Sequence, residues 1–344
     1  MKPDATPVKA RDRFESPVFV VGSSRSGTSL LYAILQSTGV FPIYPAETFF
    51  VERGQSRYGD ARKESVRRRF LDAWVNTEQF RRSGLDGEAF KRKAMDIDSG
   101  YVSLLRLFME SLAHSQQKHR WAEKTPSHIF HLPLLDSGFT DARFIHVVRD
   151  GRDVAISKQK LGWANGQGKD TIARLVWGAK SWEYSVRSGR QAQKTLGSRY
   201  LEIRYEDLVL DQDRVLGELG RFLNIEVNRD MLEHSEVGSL GSPNSAFSEG
   251  AGSGAVPSAV SRWRRELDAA ELAALQLVIG DTLSAFGYPL EPTADALSLK
   301  DRNRIRILSA WLPVKFALRR ALKLHTPLGR LMAADIGVYG RSGG

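Results

Sequence analysis

Apolar positions in this chain follow two spacings, and each predicts an element. Residues 17–22, PVFVVG, form a short unbroken apolar run rich in β-branched residues and closed by Gly22, the pattern of a strand buried on both faces. Immediately afterwards Leu30, Leu31, Ile34 and Leu35 fall on one face of a helix over 28–37, with Gly39 as its stop. Strand, glycine-rich turn and helix open an α/β domain. Two further strands are predicted at 143–148 (RFIHVV) and 200–204 (YLEIR), separated by helical patterns, so a mostly parallel sheet flanked by helices is expected. The stretch 52–109 is charged and strand-poor, and predicts helices over a ligand cleft. Asp268 with Glu271 reads as a capping pair, after which Leu272, Leu275, Ile279, Leu283 and Phe286 keep helical spacing up to Gly287.

The remaining segments divide the chain. The Ser/Gly-rich stretch at 235–258 reads as a loop or lid, because helical pattern resumes beyond it. Trp163, Trp177 and Trp182 are expected in the core, Trp163 near enough to Ser157 to line a pocket. A flexible N-terminus (1–16), a globular domain (17–290) and a basic C-terminal extension (291–344) are expected. In the extension Pro313 is predicted to start a helix with Val314, Ala317, Leu318, Ala321 and Leu322 on one face and Lys315, Arg319 and Lys323 on another, after Ile305, Ile307, Leu308 and Trp311. Such a face suits packing on the body, a second subunit or an anionic membrane.

Composition narrows the chemistry. Of 344 residues 42% are hydrophobic, 26% charged and 9% aromatic, as in a folded soluble protein. Cysteine is absent, which removes disulfides, thiolate metal sites and a cysteine nucleophile. The net charge of +10 sits mostly in residues 300–330, where nine basic residues face the single acid Asp301. The body is near neutral, which argues against nucleic acid as a partner. With no apolar leader and no membrane-length apolar run, the sequence reads as cytoplasmic, at most peripheral to the inner membrane surface.

The turn at 22–29, GSSRSGTS, places freed backbone amides and a helix start where an anion is favoured. Its spacing is that of a nucleotide phosphate loop, except that Thr28 occupies the lysine position and the cation is Arg25. A plain Gly/Ser turn is the alternative.

These residues resemble the 5′-phosphosulfate loop of the sulfotransferases that use 3′-phosphoadenosine 5′-phosphosulfate (PAPS), with Ser24 at the usual proline. The stretch 144–157, FIHVVRDGRDVAIS, resembles the same family's strand, turn and helix for the 3′-phosphate. Tyr205 in RYEDL and Arg262 in SRWR resemble two later family elements. The resemblance covers roughly residues 17–290 and implies a P-loop-like sulfotransferase domain. It also implies PAPS as co-substrate, with Ser24, Arg25, Ser26, Gly27, Thr28, Ser29, Arg149, Ser157, Tyr205 and Arg262 binding it. Taken by itself, Arg149 ends a buried strand and needs an anion, and Ser157 lies on the next helix; surface ion pairs of Arg149 with Asp150 and Arg152 with Asp153 are the plainer alternative.

Sulfuryl transfer needs an aligned acceptor, stabilised oxygens and a base. The resemblance implies Arg25 on the phosphosulfate, Lys124 (in WAEKTP) on the bridging oxygen and Glu47 (in YPAET) as the base, as in the branch of tyrosylprotein and many bacterial sulfotransferases. The charge is met without a metal. Thr125 and Pro126 read as a helix start beside Lys124, while Glu47 as a cap or ion-pair partner is the alternative. His128 and His131 lack a metal-site pattern and read as structural or substrate-lining. The expected reaction is sulfuryl transfer to a hydroxyl of a carbohydrate, lipid-linked acceptor, small metabolite or peptide tyrosine. A nucleotide kinase and a non-catalytic PAPS-binding protein are the rivals, and oligomerisation is left open.

Overall fold

Alternation along the first strand, β1 (Val18–Gly22), divides its side chains between two cores. Val18 and Val20 pack with Leu30, Leu31 and Ile34 of α1 (Thr28–Ser37), whereas Phe19 and Val21 join an aromatic cluster around Phe50, Phe70, Trp74 and Phe108. A strand covered on both faces leaves no solvated side for a polar side chain, and β1 carries none. The computed structural model describes residues 14–97, 100–164, 170–233, 257–293 and 296–326, with 329 and 331. The expected flexible residues 1–13 and nearly all of the expected loop at 235–258 lie outside the described residues.

Beside β1 run β2 (Ala122–Lys124) and β3 (Arg143–Val148), and β3 pairs in turn with β4 (Tyr200–Arg204). All pairings are parallel, in the order β2-β1-β3-β4, with Val20 opposite Lys124, Gly22 opposite Val147 and Val148 opposite Arg204. Every strand therefore ends at the same edge, where an open parallel sheet holds its ligands. The three long strands fall where periodicity predicts them. β2 is an addition, since Ala-Glu-Lys gives no apolar signal.

Helices cover both faces. Between α1 and β2 come a wide π-helical segment, Phe50–Tyr58, then α2 (Glu64–Val75), α3 (Glu78–Arg81), α4 (Gly87–Met95) and α5 (Tyr101–Ser115), as the strand-poor pattern predicts. A short 3-10 turn, Pro126–Phe130, and α6 (Leu132–Gly138) lead to β3, and α7 (Gly151–Lys160) and α8 (Thr171–Leu196) lead to β4. After it come α9 (Tyr205–Leu210), α10 (Gln212–Leu223) and α11 (Arg229–Glu233), then α12 (Trp263–Glu266), α13 (Ala269–Ala285) and α14 (Leu299–His325). The predicted capping box of Asp268 and Glu271 is present at α13. Trp182 is fully buried and Trp177 packs edge-on to Phe316, while Trp163 is only half-buried.

The basic C-terminal segment departs from expectation in two ways. Pro313 lies inside α14 instead of starting it. It deletes one backbone rung, yet the helix continues because Leu312 and Phe316 on either side are held in a core shared with α8 and α13. The face that packs is that of Ile305, Leu312 and Phe316, and Val314 and Leu318 point outward. Among the described residues no helix is long and apolar enough to cross a membrane.

If Leu312 is a true core position, Leu312→Ala should lower unfolding free energy by about 2–5 kcal/mol in urea titrations, while Leu318→Ala stays within about 0.5 kcal/mol of the parent. Equal effects of the two substitutions would show that α14 is not seated as described.

Candidate functional site

At the end of β1 the chain enters the loop 23–27 through a turn closed by the Ser26 amide donating to the Ser23 carbonyl at 3.1 Å. Arg25 takes a left-handed backbone at φ 77° and Gly27 another at 94°. At position 27 no side chain fits: an added Cβ would lie 2.2 Å from the Tyr205 ring. No side chain caps the α1 N-terminus, so its first amides face the loop. Ser23, Ser26 and Thr28 are buried beneath the loop, with Ser24, Arg25 and Ser29 half-buried at its surface.

The second predicted segment meets this loop directly. Arg25 Nε donates to Ser157 Oγ at 3.0 Å, joining the loop to α7. Arg149, at the end of β3, donates to the Arg25 carbonyl at 3.4 Å and the Ala259 carbonyl at 2.6 Å, and its guanidinium lies 4.5 Å from the Tyr205 ring centre. Arg262 donates weakly to the Asp153 carbonyl at 3.4 Å. Burial depresses the Arg25 pKa, and the charges of Arg149 and Arg262 depress it further. Three guanidinium groups thus repel one another around one loop.

The expected surface pairs are arranged differently. Arg152 is buried and pairs with Asp150 at 2.7 Å, and Arg149 lies 3.6 Å from Asp153. Asp153 also accepts from the Trp263 amide at 2.8 Å, which docks the Arg262 segment onto α7. In RYEDL, Tyr205 faces the loop while Glu206 accepts from the Asp150 amide and the Tyr288 hydroxyl, both at 2.9 Å. Glu206 is therefore a brace for the turn that aims Arg149.

On the β2 side, Lys124 Nζ donates to Glu47 Oε1 at 2.6 Å, with both side chains largely buried. Glu47 also acts on the charge of Arg25, so the pair stands beside the loop. Thr125 precedes Pro126 as expected, but its hydroxyl does not cap the turn. It donates to Glu123 at 2.5 Å and accepts from the Thr48 amide at 3.1 Å. Glu123, which the sequence pattern did not single out, also accepts from the Thr48 hydroxyl at 2.8 Å and meets His128 Nδ1 at 2.9 Å. Burial works against its charge, but His128 and the two hydroxyls outweigh this and hold it below the usual carboxylate range. It pins the segment that presents Glu47. His128 and His131 are buried, and burial, with His128 and Arg320 nearby, drives His131 down to about 3, so it stays neutral.

Lys158 was also missed. Its ammonium is buried against Ser23 Oγ at 2.9 Å and Ser181 Oγ at 2.8 Å, and burial alone lowers its pKa to about 7. Both partners are hydroxyls, so no carboxylate offsets its charge directly. Its one sequence signal is its place next to Ser157 on a helix covered from both sides.

This edge fits an oxyanion. Ser26 Oγ, Arg149 Nε and Arg262 Nε are buried with no hydrogen-bond partner among the described residues, and donors so placed call for acceptor oxygens. No cluster of metal-ligating side chains occurs among the described residues.

Known proteins resemble this chain in sequence and in fold. A family model described as the sulfotransferase family matches residues 17–229. A Caenorhabditis briggsae protein provisionally named protein-tyrosine sulfotransferase is 24% identical over 232 residues, 65% of this chain and 71% of its own. Among solved structures, the sulfotransferase domain of the Synechococcus PCC 7002 olefin synthase superposes with a TM-score of 0.56 at 24% identity, covering 85% of this chain and 99% of that one. The sulfotransferase domain from the curacin biosynthetic pathway gives 0.52 at 19% identity, covering 81% and 100%.

The buried ammonium of Lys158 makes stability depend on pH. Between about pH 7 and 10.5 the unfolded chain holds a proton that the folded chain lacks, so the unliganded protein gains stability as pH rises through that window; below it the burial cost is complete. Lys158→Met removes the titration. Its unfolding free energy relative to the parent should therefore shift downward between pH 6.5 and 9.5, by at most about 1.4 kcal/mol per pH unit. A difference independent of pH in calorimetric scans would rule out a depressed pKa at Lys158.

Proposed function

The chain belongs to the sulfotransferase family, and on that footing we propose that it transfers a sulfuryl group from PAPS to a hydroxyl acceptor. The observation that supports this best is the meeting of Arg25, Ser157 and Arg149 with the Lys124–Glu47 pair at one edge of the sheet. When bound, PAPS supplies an activated sulfuryl group and adenosine 3′,5′-bisphosphate (PAP) as leaving group. Arg25 and the amides of residues 24–29 hold the phosphosulfate oxygens, and Arg149 and Ser157 hold the 3′-phosphate. Tyr205 and Arg262 close the nucleotide side.

Glu47 takes the acceptor proton as the new oxygen–sulfur bond forms, and Lys124 stabilises the bridging oxygen as the old one breaks. In the ion pair the carboxylate charge is offset by Lys124. As Lys124 turns to the leaving oxygen, the Glu47 carboxylate is released from that contact and can accept the acceptor's proton. The charge that develops is met by Arg25 and Lys124, so the scheme needs no metal. The kinase reading loses ground, both from the family and because Thr28 occupies the lysine position of a nucleotide-hydrolysing loop.

Incubation with PAPS labelled in its sulfuryl group and a panel of carbohydrate, glycolipid, phenolic and tyrosine-peptide acceptors tests the reading. Labelled product and stoichiometric PAP are expected for one class; PAP binding without turnover on any of them would favour a non-catalytic binder. Glu47→Gln should leave PAP affinity nearly intact and cut turnover about 10²–10⁴-fold. Arg149→Ala and Ser157→Ala should each weaken PAP binding, the arginine by about 1.5–3 kcal/mol, as read by titration calorimetry. Unchanged affinity in both would move the 3′-phosphate elsewhere.

A further inference from the structure

One face of α14 is packed on the body, and another carries a line of large apolar side chains in water. Ile307, Trp311, Val314, Leu318 and Leu322 recur every three or four residues and are 72%, 55%, 61%, 58% and 40% exposed. The line cannot turn inward, because Ile305 and Leu312, fully buried with α8 and α13, fix the helix about its axis. Scattered exposed apolar residues need no explanation, but five on one helical stripe do.

We propose that this face of α14 docks the protein on an anionic lipid surface. The charge around the stripe selects that occupant. From Lys300 to Lys323 the helix has eight basic residues against Asp301. Lys300 and Arg306 are exposed, and Lys315 Nζ lies 5.3 Å from the centre of the Trp311 ring. A cation beside a half-exposed tryptophan matches the headgroup boundary, where the ring sits in the acyl margin and the ammonium reaches the phosphates. Not every cation is available: Arg304 is paired with Asp170 at 2.5 Å, and Arg320 donates to the Phe130 carbonyl at 2.6 Å. A second copy of the chain is the poorer occupant. A symmetric contact through this face would set one basic helix against another, and like charges across an interface oppose association. Because α14 is too charged to cross a bilayer, the contact is peripheral.

Co-sedimentation of the full chain with phosphatidylcholine vesicles, and with vesicles containing about a third phosphatidylglycerol, tests the proposal. Binding is expected to the anionic vesicles only, weakening at least tenfold between about 0.1 and 0.5 M salt. Trp311→Glu with Leu318→Glu should reduce binding at least tenfold at either salt, and Lys300→Glu with Arg306→Glu should remove most of the salt dependence. Both positions of the first pair are more than half exposed, so its melting temperature and PAP affinity should match the parent. Should that variant fail to fold, quenching of the parent by brominated lipid, lost in Trp311→Phe, reports the same contact. Equal binding to neutral vesicles, no binding to either, or quenching unchanged in Trp311→Phe would overturn the proposal. A lipid-independent dimer in light scattering, abolished by Trp311→Glu with Leu318→Glu and accompanied by no vesicle binding, would assign the face to a second copy.

Discussion

Like charges crowd where the four parallel strands end. Arg25, Arg149 and Arg262 surround one loop and depress the Arg25 pKa, and Lys158 lies buried behind that loop between two hydroxyls. In water such groups would separate; here the strand ends and the turns after them hold them together. The cost is borne by packing elsewhere, in the two-sided core of β1 and the core shared by α8, α13 and α14. An incoming polyanion would meet donors already aimed, and its charge would relieve a repulsion that the unliganded fold carries.

Three carboxylates near the loop are placed so as not to cancel that field. Asp150 is taken up by Arg152, and Glu206 is spent on a backbone amide and a tyrosine hydroxyl. Glu123 is surrounded by Thr48, Thr125 and His128. Those three acids are thereby committed to geometry. Asp153, 3.6 Å from Arg149, and Glu47, paired with Lys124, do reach cations beside the loop, and Lys124 is itself a candidate to engage the substrate.

Much of this was legible in the chain. The strand, loop and helix at 17–37 were readable because apolar run, glycine turn and helical face are all local signals. That Arg149, Ser157 and Arg25 come together could be expected because they sit on two separate motifs that the fold brings into contact. What escaped depends on distant partners. β2 carries Glu123, which looks like a surface residue until Thr48 arrives from another segment to satisfy it. Lys158 could not be told from a solvated lysine before α8 covered it. Pro313 signals a helix start by local rules, and only the packing of Leu312 and Phe316 overrides it. The same packing decided which face of α14 turns inward, a choice that apolar periodicity alone leaves undetermined.

The contact between Gly27 and the Tyr205 ring ties two distant stretches of the chain to one another. Because the ring fills the space a Cβ would need, neither position is free to drift alone. A larger residue at 27 demands a smaller one at 205, and losing the ring at 205 also strips Arg149 of the aromatic face beneath its guanidinium. As long as Tyr205 stays, any loop grafted at 22–29 of this chain would have to keep a residue without a Cβ at position 27.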